Sequence, residues 1–280
     1  MSENVLLVGG DLCQRVALRL TVRDWNVWRL RRRAVTDPQV RWIQADVADP
    51  ASLGQLPGAI THVLYAPAPD RREPASYQAT YPQGLDNLLH ALATHPLQRF
   101  VLVGSSVVWP PSPAQRSLSL VDESTPTQAW NFRAEALLQA ESLLSGRLPE
   151  CGVVLRLAGL YGPGRTRLLD ALRSGRLTAP EGPGHWSNRI HIDDAASACV
   201  HLLTLPRPAP CYIGTDGNPT ETAAFHDALA VRLDAPRPQR SHQPPSGKRL
   251  SNARLIASGW RPRWPDALAA YAALAAAERR

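Results

Sequence analysis

The sequence predicts an α/β fold: a doubly wound parallel sheet flanked by helices, with a small lobe at the C-terminal end. Three observations carry that prediction. Short apolar runs without polar alternation, such as Val5-Leu6-Leu7-Val8, read as strands buried on both faces. Segments of helical apolar spacing separate these runs at intervals that suit parallel crossovers. At the start of the chain Gly9-Gly10 turn the first strand into a helix, in which Val16, Ala17 and Leu20 resume the apolar face.

A strand, a glycine turn and a helix in this order open a dinucleotide-binding unit. The N–H groups and dipole of the helix start then hold a pyrophosphate. The usual fingerprint, G-x-G-x-x-G, is not met here. The residue between the first two glycines is missing, and Cys13 takes the place of the third. That third glycine allows close helix–strand packing, and the shortened turn sets how near the backbone comes to a phosphate.

Composition narrows the class. With 280 residues, 44% hydrophobic and 20% charged, the chain can bury one substantial core, or one core and a small lobe. No apolar run reaches the roughly 18 residues of a membrane span, and no secretory signal opens the chain. We therefore expect a cytoplasmic protein with no membrane partner. Cys13, Cys151, Cys199 and Cys211 are far apart, so buried thiols are expected rather than a metal site or disulfides. The net charge of +7 rests on arginine, Lys248 being the sole lysine. Only Arg31-Arg32-Arg33 is a tight basic cluster, so no nucleic-acid partner is expected.

The elements follow in order. Residues 26–30 read as a second strand that ends in the three arginines. An NAD-preferring site carries an acid here for the ribose hydroxyls, whereas arginine forks suit the 2′-phosphate of NADP. The cofactor expected is NADP, with NAD less favoured. Residues 40–45 form a third strand before Asp46-Val47, and Asp49-Pro50 start a short helix. Residues 62–66 form a fourth strand, and 76–94 a helix with Leu85, Leu88, Leu89 and Leu92 on one face. Residues 100–103 form a fifth strand, 132–144 a helix and 153–157 a sixth strand. From about residue 165 proline and glycine rise. Residues 206–210 and 235–247 read as loops, 195–203 as a helix capped by Asp193 or Asp194, and 265–280 as a helix rich in alanine. This divides the chain into a nucleotide domain, 1–164, whose sheet can take a further strand from the C-terminal part, and a substrate lobe, 165–280.

Several segments, in order, resemble the extended short-chain dehydrogenases/reductases, the NAD-dependent epimerase/dehydratase-like proteins with a Rossmann-type sheet. They are V-L-L-V-G-G-D-L, A-D-V at 45–47, V-L-V-G-S-S-V-V-W at 101–109, V-D-E-S-T-P at 121–126, L-R-L-A-G-L-Y-G-P-G-R at 155–165 and N-R-I-H-I-D-D at 188–194. The resemblance implies that Gly9, Gly10, Asp11 and Leu12 lie against the pyrophosphate, Arg31 and Arg32 at the adenosine ribose, and Asp46 and Val47 beside the adenine. Ala66 and Pro67 would line the path to the nicotinamide ribose, with Ser105 and Leu157 at the same pocket. Ser105 takes the place of the catalytic Ser/Thr. Ser106, Trp109, Arg189 and His191 would face the substrate, His191 more readily as a structural histidine. The resemblance also implies a small-molecule substrate and pairing of two copies through helices that flank the sheet.

The family's Tyr-x-x-x-Lys pair is missing. Aligned through the helix that holds Glu141, its positions carry Arg133 and Leu137, and 132–144 contains no tyrosine. Arg133 could orient a phosphate or polarise a carbonyl, but as a permanent cation it is a poor base. Tyr161 or Tyr81 could supply a phenol, although without a lysine beside it. Ser105, Arg133 and Tyr161 are therefore the catalytic candidates. Two functions are expected: an NADP(H)-dependent oxidoreductase or epimerase-like enzyme on a polar, nucleotide-linked or other, carbonyl or alcohol substrate, or a catalytically impaired protein that senses NADP(H) or a metabolite. A third, weaker reading is that the shortened turn prevents dinucleotide binding altogether.

Overall fold

The computed structural model describes residues 3–33, 40–111, 120–243 and 246–278. Seven strands make one parallel sheet: β1 (Asn4–Gly9), β2 (Asn26–Arg31), β3 (Arg41–Gln44), β4 (His62–Ala66), β5 (Arg99–Ser105), β6 (Gly152–Leu157) and β7 (Cys211–Gly214). Their spatial order is 7-6-5-4-1-2-3, with the chain reversing direction across the sheet beside β1. That is the doubly wound, Rossmann-type arrangement, in which ligands sit at the carboxyl ends of the strands beside the switch point. Register fixes those ends: Val5 lies beside Val27 on one side and His62 on the other, and Gly9 lies beside Ala66.

Why these strands are central follows from their residues. Val5, Leu6 and Leu7 are fully buried, as are Val63, Leu64, Phe100 and Val101, so both faces of the sheet are covered. Helix α1 (Asp11–Thr21) lays Leu12, Val16, Ala17 and Leu20 on one face. The other face receives Leu85, Leu88 and Leu89 from a helical run that the sequence reads as one helix, 76–94. That run is three pieces: α2 (Pro74–Gln78), a widened π turn (Ala79–Gln83) and α3 (Gly84–Ala91). Pro82 lies within the widened turn, where its ring nitrogen has no hydrogen to give. Gly84 then lets the run pass close to the sheet, since a Cβ there would stand 2.7 Å from Val47 Cγ2 and 2.8 Å from the Tyr65 hydroxyl. Helix α4 (Phe132–Arg147) is capped by Asn131, whose Oδ1 accepts the N–H groups of Arg133 and Ala134 at 3.0 and 2.9 Å.

The chain forms two compact units, one of residues 1–110, 126–156 and 196–212, the other of 111–125, 157–195 and 213–280. The second unit has its own core, in which Tyr161, Leu169, Leu172, Phe225, Leu229 and Tyr271 pack together. Part of the segment read as a loop, 235–247, is ordered as a strand: Gln239–Ser241 pairs in parallel with Thr178–Pro180. Asp266 caps the alanine-rich helix Ala267–Ala277, its Oδ1 accepting the Ala269 N–H at 3.1 Å. The last two positions of the expected helix 265–280 lie outside the described residues.

The capping role expected of Asp193 or Asp194 is corrected by where the helix begins. It spans Ile192–Thr204, so both aspartates fall inside its first turn. Asp194 instead accepts the N–H groups of Arg263 and Trp264 at 2.9 and 2.8 Å, which anchors a remote segment of the second unit.

Candidate functional site

A cleft of about 760 Å³ opens at the carboxyl ends of β1, β2 and β4 in the first unit. Its floor is the turn after β1. Gly9 has φ +145°, and a Cβ there would stand 2.4 Å from the Ala66 carbonyl oxygen, so only glycine brings the backbone this close. Gly10 is the residue before α1 and carries no side chain to cap the helix's first N–H groups. Both glycines line the cleft. Cys13, at the third-glycine position, is wholly buried beneath them, 3.1 Å from that added Cβ. Burial pushes its thiol up to about 12, so it stays neutral and inert.

A second wall comes from β2. Arg31, Arg32 and Arg33 all line the cleft, with Asp70 facing them from the loop after β4. The Arg32 guanidinium makes a two-pronged ion pair with the Asp70 carboxylate, which is thereby held below the usual carboxylate range. Asp46 and Val47 line a third wall, in a segment pinned from several sides. Ser52 Oγ accepts the Asp46 N–H at 2.9 Å, and Asn87 donates to the Val47 carbonyl at 2.9 Å. Pro67, Ser76 and Thr80 also line the cleft. Thr80 is tethered through its carbonyl, which accepts the Tyr65 hydroxyl at 2.5 Å.

Thus Gly9, Gly10, Arg31, Arg32, Asp46, Val47 and Pro67 are brought together around one cavity. Ala66 stands directly behind Gly9 in register. Leu12 is buried on the core side of α1, and the Asp11 carboxylate pairs with Arg15 at 3.1 Å, one helical turn on.

The expected catalytic and substrate residues are not among those that line this cleft. Ser105 ends β5 and caps the short turn Ser106–Val108, its Oγ accepting the Val107 N–H at 3.3 Å. Gln128 and Trp130 hold that turn through the Val108 and Val107 carbonyls, at 2.9 and 2.7 Å. Trp109 is buried, with the Arg156 guanidinium 4.8 Å from its ring centre. Arg156 in turn grips Glu141 with both prongs, at 3.1 and 2.6 Å, and Glu141 belongs to α4. Arg133 sits in the first turn of α4 and Leu137 is buried in it.

In the second unit Leu157 is buried and Tyr161 is nearly inaccessible. Tyr161 stacks on Tyr271 at 4.6 Å between ring centres and meets His191 edge-on at 5.2 Å. Its hydroxyl has no hydrogen-bond partner among the described residues, and burial holds it protonated well above the usual phenol range. Tyr81, in the first unit, is likewise pushed up by burial. The Arg189 guanidinium lies 3.6 Å from the centre of the Phe225 ring and donates to Thr220 Oγ1 at 2.8 Å. His191 Nδ1 accepts the Asp193 N–H at 3.2 Å.

Sequence reasoning passed over Arg29, Asp70 and the Glu141–Arg156 pair. Only Arg29 left a signal: a charged residue in the middle of a strand that is otherwise read as buried.

A parallel sheet with a glycine turn at its switch point defines an α/β protein of the Rossmann type. The NAD-dependent epimerase/dehydratase family matches residues 7–213, and the chain belongs to it. Two relatives are protein YeeZ of Escherichia coli (strain K12) and the 3-diazoavenalumate denitrifying reductase of a Streptomyces species. The first is 27% identical and covers 95% of this chain and 98% of its own length. The second is also 27% identical and covers 88% and 91%. A solved structure from Methylobacillus flagellatus, assigned to the NAD-dependent epimerases/dehydratases, is 33% identical. It superposes with a TM-score of 0.81 over 100% of this chain and 99% of its own. Three further structures, each 19% identical and alike in fold, hold NADPH in one case and NAD in the others. Among the described residues no helix is long and apolar enough to cross a membrane, and no cluster of metal-ligating side chains occurs.

Proposed function

We propose that the chain binds NADP(H) in this cleft and acts as an oxidoreductase or epimerase-like enzyme on a polar carbonyl or alcohol substrate. The observation that carries the reading is the end of β2, which delivers Arg31, Arg32 and Arg33, and no carboxylate, to a cleft also lined by Gly9 and Gly10. The residues fit a dinucleotide. A side chain on Gly9 would collide with Ala66, so the backbone itself forms the floor. The cavity is of the size that takes such ligands. The donors are cationic forks on one wall and a helix start on the floor, which suits a molecule with phosphates at both places.

When bound, the cofactor supplies a hydride acceptor or donor. The chain's residues bind and orient it. Gly9, Gly10 and the start of α1 hold the pyrophosphate, Arg31 and Arg32 the 2′-phosphate, and the pinned Asp46–Val47 segment the adenine. Ser105 donates a hydrogen bond to a substrate oxygen. The relation to a reductase supports oxidoreduction rather than binding alone.

A second reading, a protein that senses NADP(H) or a metabolite, is favoured by one specific observation. The helix that would supply the Tyr/Lys pair is instead tied into the fold by Glu141 and Arg156. Both readings make the protein's partner a small molecule. NADPH consumption over a panel of polar carbonyls and sugar nucleotides separates the two. Turnover that falls about a hundredfold in Ser105→Ala, the size of one lost oxyanion donor, supports the enzyme. NADPH binding with no turnover, unaltered by Ser105→Ala, overturns it in favour of the sensor.

A further inference from the structure

Among the described residues of the first unit Arg29 is the least exposed charged one, with 1% of its surface accessible. It belongs to β2, yet none of its atoms lines the cleft that the next residues of the strand form. One guanidinium nitrogen donates to the carbonyl oxygen of Gly10 at 2.9 Å and reaches that of Gly9 at 3.4 Å. The other donates to Gln14 Oε1, one turn into α1. The face of the guanidinium rests on Trp42, 4.6 Å from the ring centre. An uncompensated charge at such a site is costly, and here two carbonyl oxygens, an amide oxygen and an aromatic face meet the guanidinium.

We propose that Arg29 is a positioning residue for the pyrophosphate: it grips the glycine turn from behind and holds its peptide groups in the orientation that a phosphate needs. In a trans peptide the carbonyl and the following N–H point in opposite directions. With the carbonyls of Gly9 and Gly10 drawn inward to the guanidinium, the N–H groups of Gly10 and Asp11 face outward. The oxygens, which would repel a phosphate, are turned away and neutralised. This accounts for a turn one residue shorter than the usual fingerprint and with Cys13 in place of its third glycine. Helix α1 turns the Gly10 carbonyl the same way, the Gln14 N–H donating to it at 3.1 Å, and the buried cation holds the turn from the side of β2.

The inference rests on the dinucleotide reading of the cleft, and three probes separate them: NADPH, ADP, which has the pyrophosphate alone, and adenosine 2′-phosphate, which lacks it. In calorimetric titrations Arg29→Met weakens NADPH and ADP by about tenfold or more, the worth of one charge-assisted hydrogen bond, and leaves adenosine 2′-phosphate nearly unchanged. Arg29→Lys, which keeps the charge but not the fork, restores part of the loss. Should Arg29→Met fail to fold, Gln14→Leu frees one prong of the fork and shows the same discrimination on a smaller scale. Equal loss for all three probes, or none, overturns the positioning role. Wild-type protein that takes up none of the probes overturns the dinucleotide reading and the inference together.

Discussion

The two polar regions of the first unit use charge in different ways. Around the cleft, Arg31, Arg33 and Asp46 border an open cavity of about 760 Å³, and the ion pair Arg32–Asp70 on its rim is exposed. Around Ser105 the charges turn toward each other: Glu141 and Arg156 form a two-pronged pair, 8% and 11% exposed, and Arg156 is laid on Trp109. The first set of side chains borders open space, and the second holds a strand, a helix and a buried tryptophan together.

If the Ser105 region is structural, breaking it costs stability before anything else. Glu141→Leu leaves the Arg156 charge buried without its carboxylate and should destabilise the protein by about 3–5 kcal/mol in denaturant unfolding. A change below about 1 kcal/mol would show that the pair is solvated and dispensable. Next in size, Gly9→Ala puts a Cβ 2.4 Å from the Ala66 oxygen at φ +145°. We expect a loss of about 2–4 kcal/mol, read as a lower unfolding midpoint. Gly10, with open space beside its Cα, should accept alanine at a cost of about 1 kcal/mol, that of a poorer cap.

The second unit extends the contrast through pH. Burial, the largest influence, raises Asp216 to about 6 despite its hydrogen bonds from Asn218 and Thr215. A folded-state pKa above the unfolded value means that the folded protein binds this proton more tightly. The group's contribution is thus full below about pH 4 and is lost as pH rises through about 6. Asp216→Asn removes that dependence. Relative to wild type, the variant should gain about 2 kcal/mol between pH 4 and pH 7, measured as unfolding free energies at both values. Parallel curves would refute the assignment. The smallest effect belongs to the cleft's own ion pair. Asp70→Asn frees Arg32 from an exposed partner and should tighten NADPH by only about twofold to fivefold, since exposed pairs are weak. Weaker NADPH binding would mean that Asp70 helps to build the site.

The sheet was legible because strands covered on both faces are written as uninterrupted apolar runs, and the Gly9–Gly10 turn because it links such a run to an amphipathic helix. The cleft was legible in outline for the same reason: in a parallel sheet, residues that end strands gather at one edge. What escaped notice depends on contacts between distant segments. Nothing in the local pattern says that Asp194 accepts the N–H groups of residues 263 and 264, or that Glu141 meets Arg156. The widened turn at Ala79–Gln83 was hidden inside an otherwise good helical periodicity, with Pro82 its one local sign. Nor does the local pattern say that Arg156 lies over Trp109, a pairing that brings together β6 and the end of β5.

The central claim is that Arg31 and its neighbours read the 2′-phosphate of a dinucleotide in this cleft. Calorimetric titration of NADPH and NADH into wild-type protein and Arg31→Asp tests it most directly. The account predicts that wild type binds NADPH at least about tenfold more tightly than NADH. Arg31→Asp should lose NADPH by about 10- to 100-fold and NADH far less, the worth of a charge-assisted contact to phosphate. Equal loss of both cofactors, or equal binding of both by the wild type, would contradict it.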